Sequence, residues 1–447
     1  MSDRLDLGRE HVILLSAHLL TEVDELHAVG AIGAEVAADV RVLLNGLADA
    51  DVDRIIRQYR RARVRIEIAL DERYQLATAY SSMAAFWSDA SAQEDGKVAS
   101  SYWDSYEHGL RRRLEGLLAE TFGSTEAVLV NSGMSALDVA LRSIGLRTGD
   151  VLVTHDRAYF ETSDYLDNVL VPTGVRVERT DLTNREQIRA VLSSGLTAVL
   201  IESVLNGPTC DIPLLEPLLA AGIPVILDNS VLSHGLPGSL SADQPSPVLV
   251  VESGSKYLSR QASSGVIYGW GELGRQARLT ARRVGQQLQG RALHRLRAGE
   301  IVHCRHRLAV HAAHLRTFAE TLRTELPALQ ISTAATGTVS RSDVLAQLVS
   351  AGANGCLLFV TVPEADEVGD YVHRAIVSEW ATVTGHPVRA GFGWTTTAGR
   401  SYGRDPLNTD AGRSFIRLSI GLEQSETQRE LAMSFAKITD KWTEAKT

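Results

Sequence analysis

A chain of 447 residues, 44% apolar and 22% charged, is long enough for two or three domains and a sizeable core. Its net charge of −9, with both signs scattered, excludes the basic face of a nucleic-acid binder. No apolar run approaches the length that spans a bilayer, and the first residues carry no basic-then-apolar leader, so a soluble cytoplasmic protein with no membrane partner is expected.

Residues 10–75 are predicted helical. Val12, Leu15, Leu19, Val23 and Leu26 keep a three-four spacing, and Val36, Val40, Leu43 and Leu47 repeat it after Gly30 and Gly33. Asp51 is placed to cap a third, arginine-rich helix through Ile55, Ile56 and Ile66. These stripes read as packing faces of a docking or dimer arm. From about residue 110 the pattern changes. A helix over Leu110–Thr121 leads to the apolar run 127–130, then Asn131-Ser-Gly133 and a helix over Ala136–Ile144. Strand-like runs recur at 151–154, 175–178, 198–201, 225–227 and 248–251, with helical segments at 185–192 and 214–221 between them. Apolar strands alternating with helices predict a parallel sheet covered on both faces, whose ligands bind at the carboxyl ends of the strands. A helical stretch over 273–326 leads to a smaller α/β domain with strands at 329–332, 355–362 and 415–420, a helix around 368–380 and another from about Glu426. Residues 391–403 read as a flexible loop.

Five of the 45 basic residues are lysine: Lys97, Lys256, Lys437, Lys441 and Lys446. Such scarcity matches a coding bias towards arginine, but Lys256 stands alone in the interior of the chain, and an ε-amine can form a Schiff base where arginine cannot. Polar clusters at the strand ends fit one cofactor around it. Ser132-Gly133-Met134, between a strand and a helix, offers amides and hydroxyl to a phosphate, and Ser253 and Ser255 add two hydroxyls. Asp228 follows an apolar strand, where a carboxylate can keep a pyridine nitrogen protonated. Tyr159 is available to stack on a ring. Together these describe pyridoxal 5′-phosphate, an electron sink for carbanions. Cys210, Cys304 and Cys356 form no pair at metal-ligand spacing and read as buried apolar residues. The histidines at 303, 306, 311 and 314 read as solvated or capping groups, so no metal is expected.

In these motifs the sequence resembles the Cys/Met-metabolism family of fold-type I PLP enzymes, which includes cystathionine γ-synthases and lyases. Ser132-Gly133-Met134 is similar to that family's SGM phosphate motif, and Tyr159 falls where its ring-stacking tyrosine lies. Residues 202–208 (ESVLNGP) resemble E-S-x-x-N-P with one glycine inserted, which implies that Asn206 lies near the cofactor's phenolic oxygen. Asp228-Asn229-Ser230 resembles D-N-T, with Asp228 as the pyridinium partner. Residues 253–257 (SGSKY) resemble S-x-T-K-Y, which implies Ser253 and Ser255 on the phosphate and Lys256 as the Schiff-base lysine. Arg417 opens RLSIGLE, similar to R-L-S-V-G-L-E, which implies that it binds the substrate α-carboxylate through a bidentate pair. Several departures accompany these matches. Leu258-Ser-Arg-Gln261 replaces a Gly-Gly-His segment. The family's Tyr-x-Arg, which reaches a neighbouring subunit's phosphate, is replaced around Tyr102 and Tyr106. Trp394-Thr-Thr-Thr397 stands for Gly-Val-Glu-Ser in the substrate loop, which puts Thr397 among the substrate-binding residues.

The resemblance implies an α/β fold-type I transferase. Its mostly parallel central sheet carries helices on both faces, beside a smaller C-terminal α/β domain and a helical N-terminal extension. The expected division is 1–100 for the extension, 101–290 for the large PLP-binding domain and 291–447 for the small domain, in a homodimer or homotetramer. The activity expected is γ-replacement in a specialised biosynthetic pathway. An aminobutyrate unit passes through a vinylglycine-type intermediate from an amino acid bearing a leaving group to a second, nucleophilic substrate. Two alternatives stand beside it: a β- or γ-eliminating C–S lyase, which uses the same residues, and a non-catalytic PLP-binding protein that uses the N-terminal helices as its interaction module.

Overall fold

The computed structural model describes residues 7–28, 30–47, 50–77, 110–205, 207–233, 240, 245–258, 263–288, 290–293, 295–334, 355–362, 370–388, 396–402 and 414–444. Three helices open it: α1 (Leu7–Ala28), α2 (Ala34–Leu44) and α3 (Val52–Ala77). Their apolar stripes do what the spacing predicts, burying Val12, Leu15, Leu19, Val23, Val40, Ile55 and Ile66 against one another. Gly30, at φ +64°, turns the chain where a Cβ would be strained. The Asp51 carboxylate accepts from the Arg54 amide at 2.7 Å, capping α3.

After α4 (Leu110–Phe122), a seven-stranded sheet forms from β1 (Glu126–Val130), β2 (Val151–His155), β3 (Arg176–Thr180), β4 (Ala198–Glu202), β5 (Val225–Asp228), β6 (Val248–Ser253) and β7 (Gly265–Gly269). Its order is β1-β7-β6-β5-β4-β2-β3. Strands β6, β5, β4, β2 and β3 pair in parallel, and β7 runs antiparallel between β6 and β1. Both faces carry apolar side chains into separate cores, with β2 and β4 buried along their whole length. This is the doubly covered, mostly parallel sheet that the alternating runs predict.

The predicted helix over 273–326 is broken into α5 (Gly271–Arg283), a turn at Gly290–Leu293, α6 (Ala298–Val302) and α7 (Cys304–Glu325). Gly285, at φ +69°, ends the first piece. A second sheet follows, with β8 (Gln330–Thr333), β9 (Leu357–Thr361), β10 (Ala398–Tyr402) and β11 (Phe415–Ser419) in the antiparallel order β10-β11-β9-β8. It packs on α7, α8 (Asp370–Thr384) and α9 (Ser425–Glu444) around Trp380, Phe318 and Phe435.

Two strands depart from the sequence reading. Strand β7 is absent from the predicted list, and β10 lies inside the segment read as a loop. The histidines of α7 also differ from a solvated set. His311 and His314 are buried, and their Nδ1 atoms bond the carbonyls of Ile420 and Gly421 at 2.8 and 3.1 Å. Helix α7 is covered by the N-terminal helices on one side and the β11 end on the other, so these two have no water to face, whereas His303 and His306 are only half-buried. The three cysteines are free and buried, as expected.

His386, before β10, lies 3.3 Å from the Glu423 carboxylate. Burial alone would lower its pKa, but the hydrogen bond and charge of Glu423 outweigh it and raise the imidazole above its ordinary value. A raised histidine stabilises the fold below its unfolded pKa and loses that contribution as pH climbs through the folded value. The stability difference between the native chain and His386→Gln is therefore expected to be greatest below about pH 6, on the order of 1 kcal/mol. It should decline above the ordinary histidine pKa, as checked by urea unfolding across pH.

Candidate active site

The carboxyl ends of β1, β5 and β6 open onto one cavity of about 400 Å³. At one end, Ser132 caps the helix Gly133–Ser143, its hydroxyl accepting from the Ser135 amide at 3.0 Å. The hydroxyls of Ser253 and Ser255 lie 3.0 Å apart on the opposite wall. The Ser253 amide is held by the Ser230 hydroxyl at 3.0 Å, and the Gly254 amide by the Ser264 carbonyl at 2.8 Å. Glycines make this convergence possible. A Cβ on Gly133 would come within 2.9 Å of the Ser253 Cβ, and one on Gly265 within 2.0 Å of the Ser132 carbonyl. Hydroxyls and a helix N-terminus that these close approaches bring to one end of the cavity form an anion cradle.

Beyond the cradle stand Asp228, Lys256 and Tyr159. Asp228 ends β5, and its carboxylate accepts from the Ser230 amide at 2.9 Å. Burial pushes its carboxyl up, with the charge of Glu252 adding to the rise against the Ser230 hydrogen bonds and the pull of Lys256. Lys256 is driven the other way, by burial and then by the Arg417 charge, so its amine releases a proton more readily than an ordinary lysine. Tyr159 opens a short helix, Phe160–Tyr165, and its backbone amide is held by the Glu202 carboxylate at the end of β4. Burial, followed by Glu161, keeps the Tyr159 phenol protonated to well above its usual range.

The far wall comes from the small sheet. Arg417 on β11 and Arg400 on β10 are direct cross-strand partners, so both project from the same face. Their guanidiniums lie 4.9 and 5.0 Å from the centre of the Tyr402 ring. All three line the cavity, making this end a surface for carboxylates.

Of the residues singled out in the sequence, Ser132, Gly133, Met134, Tyr159, Asp228, Ser253, Ser255, Lys256 and Arg417 all line this cavity. Asn206, Trp394, Tyr102 and Tyr106 lie outside the described residues. Thr397 is not brought to it. Its side chain is fully buried, its hydroxyl 2.9 Å from Glu423 and from the Gly421 amide, where it joins β10 to the turn after β11. Arg400, Tyr402, Glu161 and Ser264 were missed. Arg400 and Tyr402 share a face of β10, but that signal is lost once the segment is read as a loop.

The cavity fits pyridoxal phosphate residue by residue: a phosphate cradle, a carboxylate, an amine of lowered pKa and an aromatic. Comparisons with known proteins agree. The family model described as Cys/Met metabolism PLP-dependent enzyme matches residues 71–431. Cystathionine beta-lyase of Neurospora crassa is 36% identical over 156 residues, 33% of each chain. Cystathionine gamma-synthase of Escherichia coli is 33% identical over 153 residues, 32% of this chain and 36% of that one. These matches span about a third of the length of the curated relatives. A crystal structure of cystathionine gamma synthase from Xanthomonas oryzae pv. oryzae superposes with a TM-score of 0.63 at 20% identity, covering 78% of this chain and 90% of that one. The fold is thus that of fold-type I PLP enzymes.

Proposed function

Because this chain belongs to the Cys/Met metabolism PLP-dependent enzyme family, we propose that it catalyses γ-replacement on an amino-acid substrate in a specialised biosynthetic pathway. One observation carries the reading: Lys256, Asp228 and Arg417 face a single cavity that also holds an anion cradle. Pyridoxal phosphate, when bound, supplies the aldehyde and the electron sink that withdraws charge from Cα. Ser132, Ser253, Ser255 and the amides from Gly133 would hold its phosphate, and Asp228 would hold the proton on its ring nitrogen.

Arg417 receives the α-carboxylate and sets the amino acid's Cα beside Lys256. Its lowered pKa helps Lys256 act as a base: it would take the proton from Cα, hand it on to the electron-sink group, and only then, as an amine again, take one from Cβ. The γ-substituent leaves with its bonding pair, a nucleophile adds at Cγ with loss of its own proton, and Lys256 returns the protons to Cβ and Cα one at a time. The wall built from Arg400 and Tyr402 supports a specialised substrate, since it adds a second cation beside the carboxylate site. The partners proposed are an amino acid bearing a leaving group and a second nucleophile, with the active assembly a homodimer or homotetramer.

The test combines the visible spectrum of the loaded protein with mass spectrometry of amino acids carrying γ-leaving groups, incubated with thiol nucleophiles. A condensed product supports replacement. A keto acid with ammonia assigns the C–S lyase reaction instead, and a cofactor band without turnover of any amino acid assigns a binding protein. Asp228→Asn is expected to keep the band but lose about 10²–10³-fold in turnover, because the ring proton loses its fixed counter-charge.

A further inference from the structure

We propose that the N-terminal helical unit braces the amino-acid end of the cavity, with Arg60 as the positioning residue. Three observations meet there. Arg60 on α3 donates from Nη2 to the Thr396 hydroxyl at 2.7 Å. Thr396 immediately precedes Thr397 and β10, the strand that carries Arg400 and Tyr402 into the cavity four and six residues further on. Leu422, three residues after β11, is enclosed in the core of the N-terminal helices.

Geometry makes this one grip rather than two. Strands β10 and β11 are antiparallel with Ala398 opposite Ser419, so the start of β10 and the end of β11 lie side by side. That shared end is cross-tied: the Thr397 hydroxyl accepts from the Gly421 amide at 2.9 Å and bonds Glu423 at 2.9 Å. Holding Thr396 and Leu422 fixes both strands at one end, and with them the register of Arg400 beside Arg417. The helices themselves are anchored elsewhere, through Arg63–Glu300 at 2.9 Å, Arg297–Glu22 at 3.1 Å and Arg307 donating to His11 at 3.1 Å. Loss of Arg60 therefore leaves the unit in place and removes its tie to the start of β10.

The inference rests on reading the Arg417 wall as the amino-acid site, and its test separates the two. In Arg60→Ala of the full chain loaded with pyridoxal phosphate, amide hydrogen exchange over 396–402 is expected to quicken while β4–β6 stays unchanged. Amino-acid affinity, read from the change in the cofactor's visible band, should weaken about tenfold. Cofactor affinity and the thermal midpoint should hold. Arg60→Lys, which keeps a donor, should recover most of the loss, and Thr396→Val should mimic it without adding to it in the double variant. Unchanged exchange over 396–402 overturns the brace whatever the reaction proves to be. Faster exchange with unchanged amino-acid affinity also overturns it, because the contact is then merely structural. The expected exchange and affinity changes without a condensed product leave the brace standing and reject γ-replacement alone.

Discussion

Lys256→Ala should lose the visible band of the bound cofactor and about 10⁴-fold or more of the turnover, since the same amine binds the aldehyde and moves the protons. Lys256→Arg should fail as completely, because a guanidinium keeps its charge at any working pH. Absorbance between 400 and 450 nm and product formation by mass spectrometry, measured on both variants, check the two losses together (the band is expected in about that range for a protonated Schiff base). Burial and Arg417 lower the Lys256 pKa, so the acid limb of the activity profile should lie below the ordinary lysine range. Retention of the band in either variant would reassign the Schiff-base amine.

The second large effect concerns stability. Arg63 and Glu300 are fully buried and paired at 2.9 Å, and Glu300 also accepts from the Tyr59 hydroxyl at 2.8 Å. Burial disfavours the Arg63 charge, and Glu300, joined by Tyr59, Glu67 and Glu22, more than restores it, leaving the guanidinium raised. Glu300→Ala removes the closer and fully buried counter-charge, leaving Glu67 at 3.4 Å, and should cost about 3 kcal/mol, read from the shift in the urea unfolding midpoint. Arg63→Met combined with Glu300→Leu removes both charges at similar volume and is expected to recover most of the loss. A double variant no more stable than Glu300→Ala would place the cost in lost packing rather than in the lost counter-charge.

Much of this was legible in the sequence, and the exceptions have physical reasons. The parallel strands announce themselves because both faces are covered, so 198–201 and 248–251 read as unbroken aliphatic runs. Lys256, Asp228 and the serines follow those runs directly, so their clustering could be inferred from strand ends alone. Strand β7 is different. Gly265 and Gly269 bound it because the Ser132 carbonyl and Gly274 approach too closely for a Cβ, and glycine erases the local strand signal. Strand β10, Ala-Gly-Arg-Ser-Tyr, has no β-branched residue. Its conformation comes from pairing with β11, which propensity does not register. Arg60 was hidden for another reason: nothing in a helical stripe tells which strand end its polar side will meet.

The enclosed core of α1–α3 has a consequence for how the chain assembles as it is made. That core takes in Val310 and Leu422, and Arg63 finds Glu300 only 237 positions downstream. At synthesis rates of about 5–20 residues per second, the three helices wait tens of seconds with an open apolar face and with Arg63 paired only to Glu67 of its own helix. A segment that emerges early is thus completed late. Chains interrupted before Leu422 should be the ones that chaperones and proteases find.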